Sequence, residues 1–108
     1  MQSYADFVPI LKALADEHRL KIIDVLSYGE MCACKILERF DFSQPALSRH
    51  MKVLCMSGLV VGVRDGAWMH YTLNKEKYMQ LIQFITFISS NKADSIERKC
   101  AKDICSGQ

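Results

Sequence analysis

Residues 43–58 carry two opposed stripes at helical spacing, and these stripes decide most of what the chain can fold into. Apolar side chains recur at spacings of three and four residues on one side, at Leu47, Met51, Leu54 and Cys55. Polar side chains at four-residue spacing occupy the other side, at Gln44, Ser48 and Lys52. Ser43 is a good N-cap, Pro45 fits a first turn, and Gly58 ends the segment. The segment predicts an amphipathic helix over Pro45–Met56.

The neighbouring segments predict a short helix before this one and a β-hairpin after it. Cys32–Phe40 has the pattern of a short helix, and a turn follows at residues 41–42. The β-rich runs Leu59–Val63 and Trp68–Leu73 flank a turn signal, Asp65-Gly66. Helix, turn, helix and hairpin in series predict a winged helix-turn-helix, a mainly α fold with a small β-hairpin.

The remaining periodic segments predict three more helices and a dimer. Each has a capping residue, and their ranges are Tyr4–Ala15, Glu17–Ser27 and Lys75–Asn91. The last helix is apolar around more than one face, and a chain of 108 residues has only one core to cover it. The spare surface therefore predicts a homodimer formed through the first and last helices. The alternative is a last helix buried within a monomer.

Size and composition indicate one domain, residues 1–91, followed by a tail at 92–108 that contains Cys100 and Cys105. The net charge is only +2, so a nucleic-acid surface must be a local patch. The start of the chain lacks the pattern of a signal peptide, which predicts a cytoplasmic protein with no membrane segment. Five cysteines are an odd number, which disfavours a disulfide framework and favours reduced thiols.

The polar face of the 45–56 helix suits the major groove of double-stranded operator DNA. The candidates for DNA contact are polar or basic and lie on this face or in the hairpin: Ser43, Gln44, Ser48, Arg49, Lys52 and Arg64. The first two lie at the helix N-terminus, where free N–H groups favour phosphate, and the next two can reach base edges. The alternative is a face that is merely solvated.

Five segments occur in a recognisable order between residues 10 and 90: LADEHRL (14–20), EMCAC (30–34), SQPALSRH (43–50), GLV (58–60) and GAWMHY (66–71). Together they resemble the arsenic-sensing repressors of the ArsR/SmtB family. The resemblance implies a homodimeric winged helix that leaves its operator when a metal or metalloid binds. It also adds His50 to the DNA-reading residues.

The resemblance assigns ion binding to Cys32 and Cys34, which match the family's paired cysteines for As(III) or Sb(III). Soft thiolates select such ions, and a helix N-terminus favours the thiolate. If both residues are helical, their side chains point about 200° apart, so ion binding is expected to unwind the first turn. The alternative is that both are ordinary small buried residues.

The third ligand stays open because Leu37 stands where one common family pattern has a cysteine. Cys100 and Cys105 are candidates, and water or a small thiol is the alternative. Cys55 is expected in the core, with ion binding as the minority interpretation. A cadmium, lead or zinc sensor, binding Cd(II) or Zn(II), is the alternative within the family. A cysteine-based redox enzyme is disfavoured because the chain lacks a CxxC motif.

Overall fold

Residues 3–91, the part of the chain that the computed structural model describes, form five helices and three short strands. Their order is α1 (Tyr4–Leu14), α2 (Glu17–Leu26), β1 (Met31–Cys32), α3 (Ala33–Arg39), α4 (Gln44–Met56), β2 (Val60–Asp65), β3 (Trp68–Leu73) and α5 (Lys75–Ser89). The strands form one antiparallel sheet in the order β1-β3-β2. Helices α3 and α4 with the β2–β3 wing confirm the predicted winged helix-turn-helix.

Polar side chains at the predicted caps start the helices where the sequence analysis expects them. The Asp16 carboxylate accepts a hydrogen bond from the N–H of His18 at 2.9 Å. The Ser43 hydroxyl accepts one from the N–H of Ala46 at 3.2 Å, and Asn74 caps α5 in the same way. Each cap satisfies a donor that the helix itself leaves without a partner, which fixes the start of the helix.

The core lies where α1, α2, α3 and α4 meet the inner face of the sheet. Its buried side chains are all apolar or aromatic: Phe7, Ile10, Ala13, Ile22, Leu26, Ile36, Leu47, Met51, Leu54, Leu59, Val60, Tyr71 and Leu81. The apolar stripe predicted for α4 is part of this core. It holds α4 on the rest of the domain and turns its polar face outwards.

Helices α1 and α5 pack on each other beside this core. The Phe7 ring stacks on the Phe84 ring, with 4.0 Å between centroids and 7° between planes. Leu81 is the buried residue of α5, whereas Ile82 is 62% exposed and Ile85 is 40% exposed. The spare apolar face that the sequence predicts is thus present in the single chain.

The structure corrects two predictions near residue 32. Cys32 is not helical: its φ of −77° and ψ of 157° are extended, and α3 begins one residue later. The sheet has three strands rather than two, because Met31 pairs with Tyr71 and Cys32 pairs with His70. A two-residue strand has no periodicity of its own, and its pairing partner lies far along the sequence.

Candidate DNA-reading surface and cysteine site

The outer face of α4 has the polar character that its sequence predicts. Four side chains of this helix that are predicted to contact DNA are exposed: Gln44, Ser48, Arg49 and Lys52. Within residues 3–91, neither Arg49 nor Lys52 forms an ion pair with a carboxylate. Both cations are therefore available to an anionic partner, and a phosphate backbone is the obvious one for a helix of this shape.

Arg64 is exposed near the tip of the wing, at the end of β2. The tip is a tight turn in which Gly66 has a φ of +66°, a left-handed conformation that suits glycine. Arg64 is therefore exposed on the wing, and its contact with DNA stays a prediction.

His50 faces α2 instead of the solvent. Its ring centroid lies 5.5 Å from that of Phe42 and 5.7 Å from that of His18, and it is half-buried. Arg19 Nη1 lies 3.3 Å from His50 Nδ1, and a guanidinium can only donate, so this ring nitrogen accepts. Burial lowers the pKa of the His50 imidazole, and the Asp16 carboxylate opposes that shift. The DNA-reading role of His50 stays a prediction.

Arg19 joins three helices at this corner. Its Nε donates to the carbonyl oxygen of Ala13 at 2.6 Å, and its Nη2 donates to that of Lys12 at 3.3 Å, so it caps the end of α1. Through His50 the same guanidinium reaches α4. The sequence carries no signal for this role, since a contact between residues as far apart as Arg19 and His50 leaves no local pattern.

Cys32 and Cys34 lie side by side at the start of α3, and both are half-buried. Their sulfurs are joined in a disulfide, with 5.4 Å between the Cα atoms. The sequence predicts reduced thiols here, and the structure corrects that prediction. The extended backbone of Cys32 turns its side chain toward that of Cys34. The predicted unwinding of a helical turn is therefore wrong, because its premise of two helical cysteines does not hold.

Charged groups surround the wing side of this pair. His70, directly opposite Cys32, has its Nδ1 atom 3.1 Å from Glu30 Oε2 and its Nε2 atom 3.9 Å from Asp65 Oδ2. No pattern in the sequence connects His70 with the cysteines. The missing signal is the β1–β3 pairing, which only the folded chain shows.

The remaining candidate ligands lie elsewhere. Leu37 packs against the core, so no sulfur stands at that position of α3. Cys55 is half-buried on α4, where burial raises the pKa of its thiol, as expected for a core cysteine. Cys100 and Cys105 fall outside the described residues. Within residues 3–91, no group of three or more His, Cys, Asp or Glu side chains is arranged to hold a metal ion.

Comparisons with known proteins place this geometry in a family. The family described as "Bacterial regulatory protein, arsR family" matches residues 16–61. The chain is 43% identical over 105 residues to the arsenical resistance operon repressor of Staphylococcus aureus, covering 97% of both chains. This chain belongs to the arsR family. It is also 36% identical to the arsenical resistance operon repressor of Escherichia coli K12, over 93% of this chain and 89% of that one.

Solved structures agree with the ArsR assignment. An ArsR-like transcriptional regulator from Rhodococcus sp. RHA1 superposes with a TM-score of 0.75 at 26% identity, covering 94% of this chain and 93% of that one. The family and these relatives are transcriptional regulators, so this ArsR-family chain is a regulator and not an enzyme. A membrane-spanning helix is absent from residues 3–91, where no helix combines enough length with enough apolar character.

Proposed function

We propose that this ArsR-family regulator represses transcription as a homodimer on operator DNA and leaves the DNA when As(III) or Sb(III) binds Cys32 and Cys34. The observation that supports it most is the placement of two sulfurs side by side at the start of the helix pair that carries the polar reading face. The names of the relatives, arsenical resistance operon repressors, support arsenic as the inducer.

In the DNA-bound form, α4 lies in the major groove and the wing lies against the flanking backbone. Free N–H groups at the start of α4, beside Ser43 and Gln44, bind phosphate. The side chains of Ser48 and Arg49 reach base edges, and Lys52 neutralises a phosphate. Arg64 makes the backbone contact of the wing. His50 helps to position α4 through its contact with Arg19. Operator DNA places the protein in the cytoplasm.

A second copy of the chain covers the apolar surface of α1 and α5. Eight of the exposed side chains on these helices are large and apolar: Tyr4, Val8, Leu11, Met79, Ile82, Ile85, Phe87 and Ile88. The two helices pack together through Phe7 and Phe84, which brings their exposed apolar side chains into one region of the molecule. A two-fold dimer buries the same patch of both copies, which suits such a surface.

Ion binding requires the reduced pair, because the thiolate is the ligand and a disulfide offers none. Cys32 and Cys34 then supply two soft donors to a thiophilic ion. A sulfur from Cys100 or Cys105 completes the site, or a small thiol or water does. Zn(II) and Cd(II) are the weaker candidates, because the relatives that support the proposal are named for arsenical resistance.

A gel shift with the upstream operator, titrated with arsenite under reducing conditions, tests the proposal. Cys32→Ser and Cys34→Ser should bind DNA within about threefold of the wild-type affinity but resist release, because a hydroxyl is a poor ligand for a soft ion. Cys55→Ser is the matched control and should release normally. If arsenite fully released both site variants from the DNA, the ion would not bind at Cys32 and Cys34.

A further inference from the structure

The wing is connected to the cysteine pair through the sheet. Cys32 is the second residue of β1, and β1 pairs with β3, so that Met31 lies opposite Tyr71 and Cys32 lies opposite His70. Strand β3 also pairs with β2 along the whole wing. One of the two proposed ion ligands and the wing therefore belong to a single hydrogen-bonded sheet.

The two faces of this sheet differ. Tyr71 is buried on the inner face against Gly62, where an added Cβ would lie 2.9 Å from the tyrosine ring. Directly opposite residues of antiparallel strands project to the same face, with Cβ atoms about 4.5–5.5 Å apart. Cys32, His70 and Val63 consequently form one row across the outer face. His70 stands in this row between the cysteine and the outer wing strand.

The His70 ring has a carboxylate near each nitrogen. Glu30 Oε2 lies 3.1 Å from Nδ1, and Asp65 Oδ2 lies 3.9 Å from Nε2. Glu30 immediately precedes β1, and Asp65 is the last residue of β2, at the wing tip. The ring thus bridges the segment that leads into the cysteine pair and the part of the wing that points away from the core.

We propose that His70 couples ion binding at the cysteine pair to the wing, and that DNA release proceeds through displacement of the wing. This inference rests on the proposed function and makes His70 a positioning residue. Placing an ion between the sulfurs of Cys32 and Cys34 changes the relative position of the two residues. Cys34 lies in α3, which is anchored by the fully buried Ile36, so the movement falls mainly on Cys32.

Strand β1 transmits this movement through its pairing with β3, while its other residue, Met31, packs against the core. It is two residues long, and its ladder partner is β3. The Glu30–His70 contact is a second connection between the same two segments, on the outer face. A shift of Cys32 therefore acts on β3 at His70, and β3 carries the wing with it.

Trp68 provides a probe of the wing that needs no label. It is the one tryptophan of the chain, it begins β3 two residues before His70, and it is 43% exposed. The reduced full-length protein is titrated with arsenite while Trp68 emission is followed, and operator affinity is measured in parallel by anisotropy. Wild-type emission should change with saturation over the arsenite range that releases the DNA.

His70→Thr removes the ring and keeps a residue that strands favour. Its arsenite affinity, and its operator affinity without arsenite, should stay within about threefold of wild type. The factor by which arsenite weakens operator binding should fall at least about tenfold, with loss of the Trp68 response, since that factor measures coupling between sites. Thr72→Ala is the matched control, on the same strand and face but opposite Val61, and should behave as wild type.

Glu30 supplies an independent test should the His70 variant fold poorly. Glu30→Ala should reduce the coupling factor, and Glu30→Gln, which keeps an acceptor for the ring, should restore most of it. If arsenite does not release the wild-type protein, the proposed function itself fails. If it releases wild type and His70→Thr equally, or leaves wild-type Trp68 emission unchanged, the coupling through the wing is overturned and the cysteine site stands. Loss of arsenite binding in His70→Thr also overturns it, because His70 is then a ligand.

Discussion

Helices α4 and α5 are both amphipathic in sequence, yet the fold treats them differently. In α4 the apolar stripe ends in the core, with Leu54 at 0% exposure, and the outer face is polar. In α5 Leu81 is buried while Ile82 is 62% exposed. The packing of a single chain therefore buries the apolar face of α4 but leaves apolar residues of α5 exposed. The difference leaves a polar outer face on α4 and exposed apolar residues on α5, which supports the anionic and the apolar partner proposed for them.

The largest expected difference is in stability. Leu54→Ala should lower the free energy of unfolding by about 2–5 kcal/mol at every protein concentration, because it leaves a cavity in the core. Ile82→Ala should cost less, and its cost should grow with protein concentration, because only the dimer buries this side chain. Urea unfolding at two protein concentrations measures both. Equal losses that do not depend on concentration would erase the contrast between the helices.

A charge on α5 tests what covers it. Ile85→Glu should weaken dimerisation by roughly 100-fold or more, because the dimer would have to bury an unpaired carboxylate. Leu20→Glu is the matched control, since Leu20 is an equally apolar and exposed residue on α2, and it should stay dimeric. Sedimentation at micromolar concentration distinguishes the two. A wild-type chain that sediments as a stable monomer would contradict the assignment of α5 to a second copy.

The outer face of α4 is tested by its two cations. Arg49→Ala should weaken operator binding by about 1–3 kcal/mol with loss of sequence preference, because it removes a base contact. Lys52→Ala should weaken binding to all sequences alike and reduce the dependence on salt, because it removes a phosphate contact. Anisotropy with operator and scrambled DNA at several salt concentrations separates these effects. Unchanged affinity in both variants would take α4 out of the interface.

The smallest effect concerns how α4 is held on α2. Burial is the main reason that the pKa of His50 is lowered from 6.5, and Arg19 adds to this while Asp16 opposes it. A histidine whose folded pKa is depressed destabilises the fold when protonated, so its contribution is intact above pH 6.5 and is lost as the pH falls through the folded pKa.

The urea midpoint of wild type should consequently fall between pH 7 and pH 5 by more than that of His50→Gln, which keeps an acceptor for Arg19. Parallel pH profiles for the two proteins would show that this ring does not titrate across the folding transition.

The sequence predicted most of the fold because its signals are local. Caps at Asp16, Ser43 and Asn74 fixed three helix starts, and the turn at Gly66 fixed the hairpin. The periodicity of α4 also gave its buried and exposed faces correctly. Each of these depends on residues within one or two turns of each other, which is the range that a pattern can report.

The features that the sequence missed depend on residues far apart. Cys32 was assigned to a helix because nothing near it indicates a strand, and its pairing with His70 exists only in the fold. The contact between the His50 ring and Arg19 joins residues 31 positions apart, so no local pattern indicates it, and the DNA-reading role that the resemblance implies for His50 stays a prediction. By contrast, the absence of a cysteine at position 37 can be read from the sequence alone, because the residue there is Leu37.

The contacts of Arg19 couple the position of α4 to that of α1. This guanidinium links the end of α1, the helix assigned to the dimer, to His50 on α4. His50 is the middle residue of this 13-residue helix, about 9 Å from either end, so a rotation of roughly 10° at that contact moves each end by about 1.5 Å. The two recognition helices of a dimer must span half-sites about one helical turn of DNA apart. In the proposed dimer, the distance between the two recognition helices therefore depends on the α1–α2 junction as well as on the residues that face the DNA.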